Sequence, residues 1–234
     1  MAENSSSSGS AVPSIIALDM GPDDNIAEET VQLQDAQIRQ QHEIPPTAEV
    51  IYTDGACPSN GTIDRRAGIG VFFGLNDPRN ISARLPGQQQ TNQRAELFAV
   101  LKALETLYLS SNQSPTPSTS PRNVVILTDS QYVIDAITRW IPSWEANNWR
   151  TTQNKQVVSL DLFQRAKEML KTLKERGIHV GFMHVPGHQG VWGNEQADKL
   201  AVAGAWMDQV RDLEWDPVFD DEELDRLIEE WENV

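Results

Sequence analysis

Residues 123–130 read NVVILTDS, an almost unbroken apolar run that stops at Thr128, Asp129 and Ser130. A strand with one wet face alternates apolar and polar side chains, so a run without alternation belongs inside a sheet covered on both faces. The polar stop matters as much as the run. Ligands of open α/β sheets collect outside the carboxyl ends of parallel strands, which is where Asp129 falls. Taken alone, one such aspartate is explained equally well by a turn or a helix cap.

Working outward, VIYTDGA (50–56) has the same shape and ends on Asp54, and AGIGVFFG (67–74) and NISARLPG (80–87) follow as short runs bounded by Gly, Pro and Asn. Three strands in hairpin order are expected. Residues 91–109 have helical spacing, with Thr91 as N-cap and Ala95, Leu97, Phe98, Leu101 and Leu104 on one face. The Ser/Thr/Pro stretch 110–121 reads as a surface loop. Beyond Ser130 the pattern predicts a helix over 131–137 and a stretch carrying Trp140, Trp144 and Trp149. A helix over 159–175 stopped by Gly177, a strand over 178–185 and a closing helix over 194–205 complete the pattern. Strands and helices interleaved after an initial meander indicate an α/β fold with a mixed sheet.

The flanks differ in kind. The net charge is −15, yet residues 1–48 hold eight acids and one base and 206–234 hold twelve acids and two bases, which leaves 49–205 with fourteen acids and sixteen bases. The acidity therefore belongs to the ends, and the middle can still meet a polyanion. Residues 1–46, Ser-rich and then rich in acids and glutamine, read as a disordered acidic tail, with a transient helix over 32–41 at most. In 206–234, Asp220 and Glu223 form a capping box, and Leu224, Leu227, Ile228 and Trp231 share one face. An acidic amphipathic helix is expected there, packed on its own core or offered to a protein partner.

One cysteine, Cys57, excludes an intramolecular disulfide framework. No run approaches the roughly 18 apolar residues of a membrane span. With no signal or transit peptide pattern, an intracellular protein, nuclear or cytoplasmic, is expected.

Glu96 and Asp198 interrupt the apolar patterns of two helices, and read singly each fits an exposed helix face. Together, TDGA (53–56), NQRAE (92–96), LTDS (127–130) and HVPGHQGVWGNEQADKLA (184–201), in this order and on these elements, resemble the type 1 ribonuclease H family over about residues 48–205. The resemblance implies a five-stranded mixed sheet of order 3-2-1-4-5 flanked by helices. It also implies hydrolysis of the RNA strand of an RNA/DNA hybrid by a monomer, leaving 5′-phosphate and 3′-hydroxyl ends. Asp54, Glu96, Asp129 and Asp198 match the metal-binding carboxylates, which suit two Mg²⁺ ions, with Mn²⁺ as substitute, because hard cations prefer oxygen ligands. His188, in a loop between Gly187 and Gly190, matches the family's mobile histidine, placed for proton transfer or product departure.

By the same resemblance Cys57, Asn60, Thr91, Asn92 and Gln93 match positions that contact nucleic acid, and Tyr132, Trp140 and Trp144 match the aromatic channel for the DNA strand. Arg139, Arg150 and Lys155 fall in the basic protrusion of the cellular enzymes. Two positions depart from the pattern: Gln89 stands where the phosphate pocket commonly has arginine, and Ser159 where it has asparagine. Alternative readings are a catalytically silent hybrid-binding or partner-recruiting module, and a ribonuclease H domain derived from a retroelement.

Overall fold

A computed structural model describes residues 24–58, 65–112 and 121–208, with side chains from residue 32 onward. The core elements are β1 (Glu49–Ala56), β2 (Gly68–Phe72), β3 (Ile81–Arg84) and β4 (Arg122–Thr128), with α2 (Asn92–Asn112) between β3 and β4. They are preceded by α1 (Asp24–Gln41). After β4 come α3 (Gln131–Asp135), a π-helical turn (Ala136–Trp140), α4 (Ile141–Ala146), α5 (Leu160–Glu175), β5 (Ile178–His184) and α6 (Trp192–Trp206).

The sheet runs β3-β2-β1-β4-β5, as the sequence predicts. β1 to β3 form an antiparallel meander, while β4 lies parallel to both β1 and β5. Period-two alternation divides each central strand between two cores. Ile51, Val124 and Ile126 face α2 and α5, where they meet Leu101, Leu104 and Phe163. Val50, Tyr52, Val125 and Leu127 face the other way and meet Leu200 of α6. Covering on both faces is why 123–128 shows no alternation.

The glycines of AGIGVFFG have a structural use beyond ending a strand. A Cβ at Gly70 would stand 1.9 Å from the carbonyl oxygen of Ala197, so α6 lies directly on the backbone of β2. That approach fixes how α6 delivers its side chains along the sheet.

Two expectations are corrected. The disordered reading of 1–46 fails for α1 and its following turn: Ile38 and Ile44 are buried against Val50, Tyr52 and Val125. Arg39 anchors the turn, donating to Asp35 Oδ2 at 2.7 Å and to the carbonyl of Ala48 at 2.9 Å. The helix expected over 131–137 is shorter, and the tryptophan stretch continues it as a π turn and α4. The chain also caps α5 with Ser159 in the left-handed region, φ 58°. The amphipathic segment around Leu224 lies outside the described residues.

If α1 belongs to the core, Ile38→Ala should lower unfolding free energy by about 2–4 kcal/mol, as buried aliphatic truncations do. Leu33→Ala, at a side chain 60% exposed, should change it by under about 0.5 kcal/mol. Equal urea midpoints for the two variants would return α1 to the status of a loose tail.

Candidate active site

Parallel pairing of β1 with β4, in register at Tyr52 and Leu127, brings Asp54 and Asp129 out at the same edge of the sheet. Asp54 is buried, and its Oδ1 accepts from the amide of Gly55 at 2.7 Å. Gly55 has no room for a side chain, since a Cβ would lie 2.1 Å from the amide nitrogen of Glu96. The end of β1 therefore rests on the first turn of α2 and brings Glu96 alongside.

That turn is well fixed. Thr91 caps it, accepting from the amide of Arg94 at 3.3 Å. Gln90, missed in the sequence reading, fastens the preceding loop by accepting from Ala67 N at 2.9 Å and donating to the carbonyls of Leu85 and Gly87 at 2.7 and 2.8 Å. Glu96 Oε1 accepts from Asn92 Nδ2 at 2.7 Å, and Asn92 Oδ1 accepts from the amide of Cys57 at 3.1 Å. Its other oxygen accepts the hydroxyl of Ser130. Ser130 also accepts from Val133 N at 3.4 Å as the cap of α3, so one side chain starts a helix and holds a carboxylate.

Gly187 lies against Asp129, where a Cβ would fall 2.3 Å from Oδ2. The following His188 is largely exposed with φ 51°, and its Nδ1 is 4.0 Å from Asp198 Oδ2 on α6. Glu195 steadies this loop by accepting from Gly190 N at 3.1 Å. Burial first, then the charges of Asp129, Asp198 and Glu96, push the Asp54 carboxyl up to about 8, against the opposing hydrogen bond from Gly55. Burial and Asp129 also raise Glu96, while Ser130 and Asn92 hold it down. The four acids thus form one electrostatically coupled crevice. Among the described residues, no three His, Cys, Asp or Glu side chains are already drawn together as ligands of one ion.

The ribonuclease H family model matches residues 46–206. The chain belongs to the ribonuclease H family. It is 43% identical to Ribonuclease H1 of Rattus norvegicus over 156 residues, 67% of this chain and 50% of that one. To Ribonuclease H of Schizosaccharomyces pombe it is 40% identical over 157 residues, covering 67% and 53% of the two chains. The chain spans about half the length of these curated relatives. Among solved structures, LC9-RNase H1, a type 1 RNase H with the type 2 active-site motif, superposes with TM-score 0.51 at 28% identity, over 69% of this chain and 74% of that one.

Within this family fold, the three aromatics expected to line a channel lie together. Tyr132 meets Trp140 edge-on at 5.7 Å between ring centres, and Trp140 is 5.7 Å from Trp144. Tyr132 and Trp144 also pack on buried Phe163, which fixes the cluster to the core. Gln93 is exposed beside the crevice, and Gln89 is exposed on the loop before Thr91. Arg94 is held in a two-pronged ion pair with Asp161. Asn60 lies outside the described residues.

The raised Asp54 gives a pH signature. Its native proton is held more tightly than the unfolded chain would hold it, so its contribution to stability is complete below about pH 4 and is lost as pH rises through about 8. With metal chelated, the protein should lose a few kcal/mol between pH 5 and 8.5. Asp54→Asn should flatten most of that slope. Urea titrations of both proteins decide it, and parallel pH profiles would refute the assignment.

Proposed function

We propose that residues 47–205 form a catalytic domain that hydrolyses the RNA strand of RNA/DNA hybrids. The carrying observation is the crevice at the joined ends of β1 and β4, where Asp54, pushed up to about 8, is loaded by three neighbouring carboxylates. Such a set is costly without a cation, and its all-oxygen donor chemistry fits Mg²⁺ or Mn²⁺.

In this reading Asp54, Glu96, Asp129 and Asp198 hold two divalent ions. Held by these carboxylates, such ions would supply Lewis-acid activation of a water and charge stabilisation at the leaving 3′ oxygen, which would leave 5′-phosphate and 3′-hydroxyl ends. The chain's own residues set the geometry. Ser130 and Asn92 hold the two oxygens of Glu96 in fixed directions, which keeps that carboxylate from turning toward solvent. His188, on a loop with two left-handed residues and facing Asp198, is placed to carry a proton between the crevice and solvent. Cys57, Asn60, Thr91, Asn92 and Gln93 contact the hybrid from its minor groove, where the 2′-hydroxyl distinguishes RNA. Tyr132, Trp140 and Trp144 receive the DNA strand as apolar walls.

A labelled hybrid, single-stranded RNA and duplex RNA, each incubated with Mg²⁺, test the reading. Wild-type protein should cut only the hybrid, and Asp129→Asn should reduce the rate by at least about a thousandfold while leaving the fold intact. Cleavage that survives in Asp129→Asn, or an inert wild-type protein, would defeat the proposal. Gln89→Arg should restore a cation at an exposed position beside the DNA strand. It should tighten hybrid binding about threefold to tenfold at 0.1 M salt, with a steeper salt dependence.

A further inference from the structure

The far half of α6 carries a surface that the carboxylate crevice does not use. Lys199, Val202, Ala203 and Trp206 recur at helical spacing and all face solvent, Trp206 with 57% of its surface exposed. The stripe starts next to Asp198, and Trp206 lies about 12 Å further along the helix axis. Its position is fixed from below. A Cβ at Gly68 would stand 2.1 Å from the amide nitrogen of Ala205, and one at Gly204 would stand 2.4 Å from the carbonyl oxygen of Ala83.

Trp206 has a cation beside it. The Arg66 guanidinium lies over its ring, 5.8 Å from the centroid. The backbone next to Arg66 is held at Ala67, whose amide donates to Gln90 Oε1 at 2.9 Å and whose carbonyl accepts from Leu85 N at 2.8 Å. Gln90 directly precedes Thr91, so this anchor is shared with the loop proposed to contact the hybrid. Arg65 extends the link to Cys57, where burial pushes the thiol up and the charge of Arg65 opposes it. The two arginines thus join the hybrid face at Cys57 to the ring of Trp206.

Charge suits this surface to a polyanion. The chain has 34 acids, yet none lies between Asp198 and Asp208, and none in β2 or β3, the strands on which the far half of α6 rests. Lys199, Arg65, Arg66 and Arg84 supply positive charge around it, and Arg65, Arg66 and Arg84 make no ion pair among the described residues. An exposed tryptophan with an arginine against it is a stacking platform for a nucleobase, and only an unpaired base has a free face to offer.

We propose that Trp206 and Arg66 bind an unpaired base of the RNA strand where that strand leaves the hybrid, so that the chain selects hybrids continuous with single-stranded RNA. This rests on the hydrolase reading above. With Asp198 at the cut, Trp206 about 12 Å away and a strand advancing roughly 3.4 Å per nucleotide, the junction falls about three or four nucleotides from the cleaved bond. The strand crosses the crevice in one polarity, so only one of its two ends reaches Trp206.

One hybrid duplex, offered blunt or with the RNA extended at its 5′ or its 3′ end by about six nucleotides, tests the proposal. The full chain with Mg²⁺ should cleave one of the extended hybrids with about tenfold higher kcat/KM than the blunt one in the same tube. Cuts should concentrate about three or four nucleotides inside that junction. An extension of abasic residues, which keeps the phosphates and removes the bases, should lose the preference. Trp206→Ala should lose it as well, and Trp206→Phe should retain part. A ratio of two rates in one tube does not depend on how much of a variant has folded. Equal rates for blunt and extended hybrids, an abasic extension as good as the natural one, or an undiminished preference in Trp206→Ala would overturn the proposal. A wild-type protein that cuts none of these hybrids would defeat the hydrolase reading itself, whereas cleavage of the blunt hybrid without preference defeats this inference alone.

Discussion

The parallel pairing of β1 with β4 is the contact on which the rest of the molecule depends. Both strands are buried on both faces, so their register is set by two cores at once, and a slip by one residue would exchange the contents of those cores. The same register places Asp54 and Asp129 at neighbouring strand ends. Helices α2 and α6 then approach as closely as backbone allows, through Gly55 in one case and Gly70 in the other. The acids they carry are positioned by steric contact with the sheet, on elements that have little freedom to retreat.

That rigidity has an electrostatic consequence. Flexible acidic side chains relieve mutual repulsion by turning to water, which buried Asp54 cannot do. The repulsion is not shared evenly. Glu96 has two side-chain donors, Asn92 and Ser130, that partly offset burial, whereas Asp54 has only the adjacent Gly55 amide. Asp54 is therefore the acid least compensated by the protein, and the one whose repulsion a cation in the proposed site would relieve most. Under the proposed metal binding, stability without metal and affinity for metal would be linked through this residue.

Legibility followed periodicity and sequence distance. The five strands, the apolar face of α2 and the closing helix were readable because their patterns repeat every 2 or 3.6 residues. α1 was legible only as a transient helix over 32–41, because Ile38 and Ile44 are two apolar positions within a segment otherwise dominated by glutamine and acids, and polar composition outweighed them. The π turn at Ala136–Trp140 leaves no compositional trace. Within the site, no carboxylate was persuasive alone, and the order of four motifs carried the reading. Ser130, Gly187 and Gln90 went unread for a different reason. Their partners Glu96, Asp129 and Ala67 lie 34, 58 and 23 positions away, a relation that exists only after folding. Ser130 did carry a local signal, as a helix cap, and that signal accounts for half of its role.

The proposed chemistry and the proposed substrate grip rest on different parts of the molecule. The crevice is built from strand ends and helix faces locked to the core. The grip proposed toward the DNA strand would rest on the edge-packed aromatics, on the loop before Thr91 and on the backbone at Ser159. Ser159 keeps a left-handed conformation, φ 58°, that asparagine tolerates better than serine does. Gln89 sits exposed on its loop, beside the cap at Thr91. These two positions lie apart from the strand ends and helix faces that carry the carboxylates. Among the described residues, the hydrogen bonds that hold Asp54 and Glu96 come from Gly55, Asn92 and Ser130 and involve neither Gln89 nor Ser159, so a change at either position leaves those contacts in place.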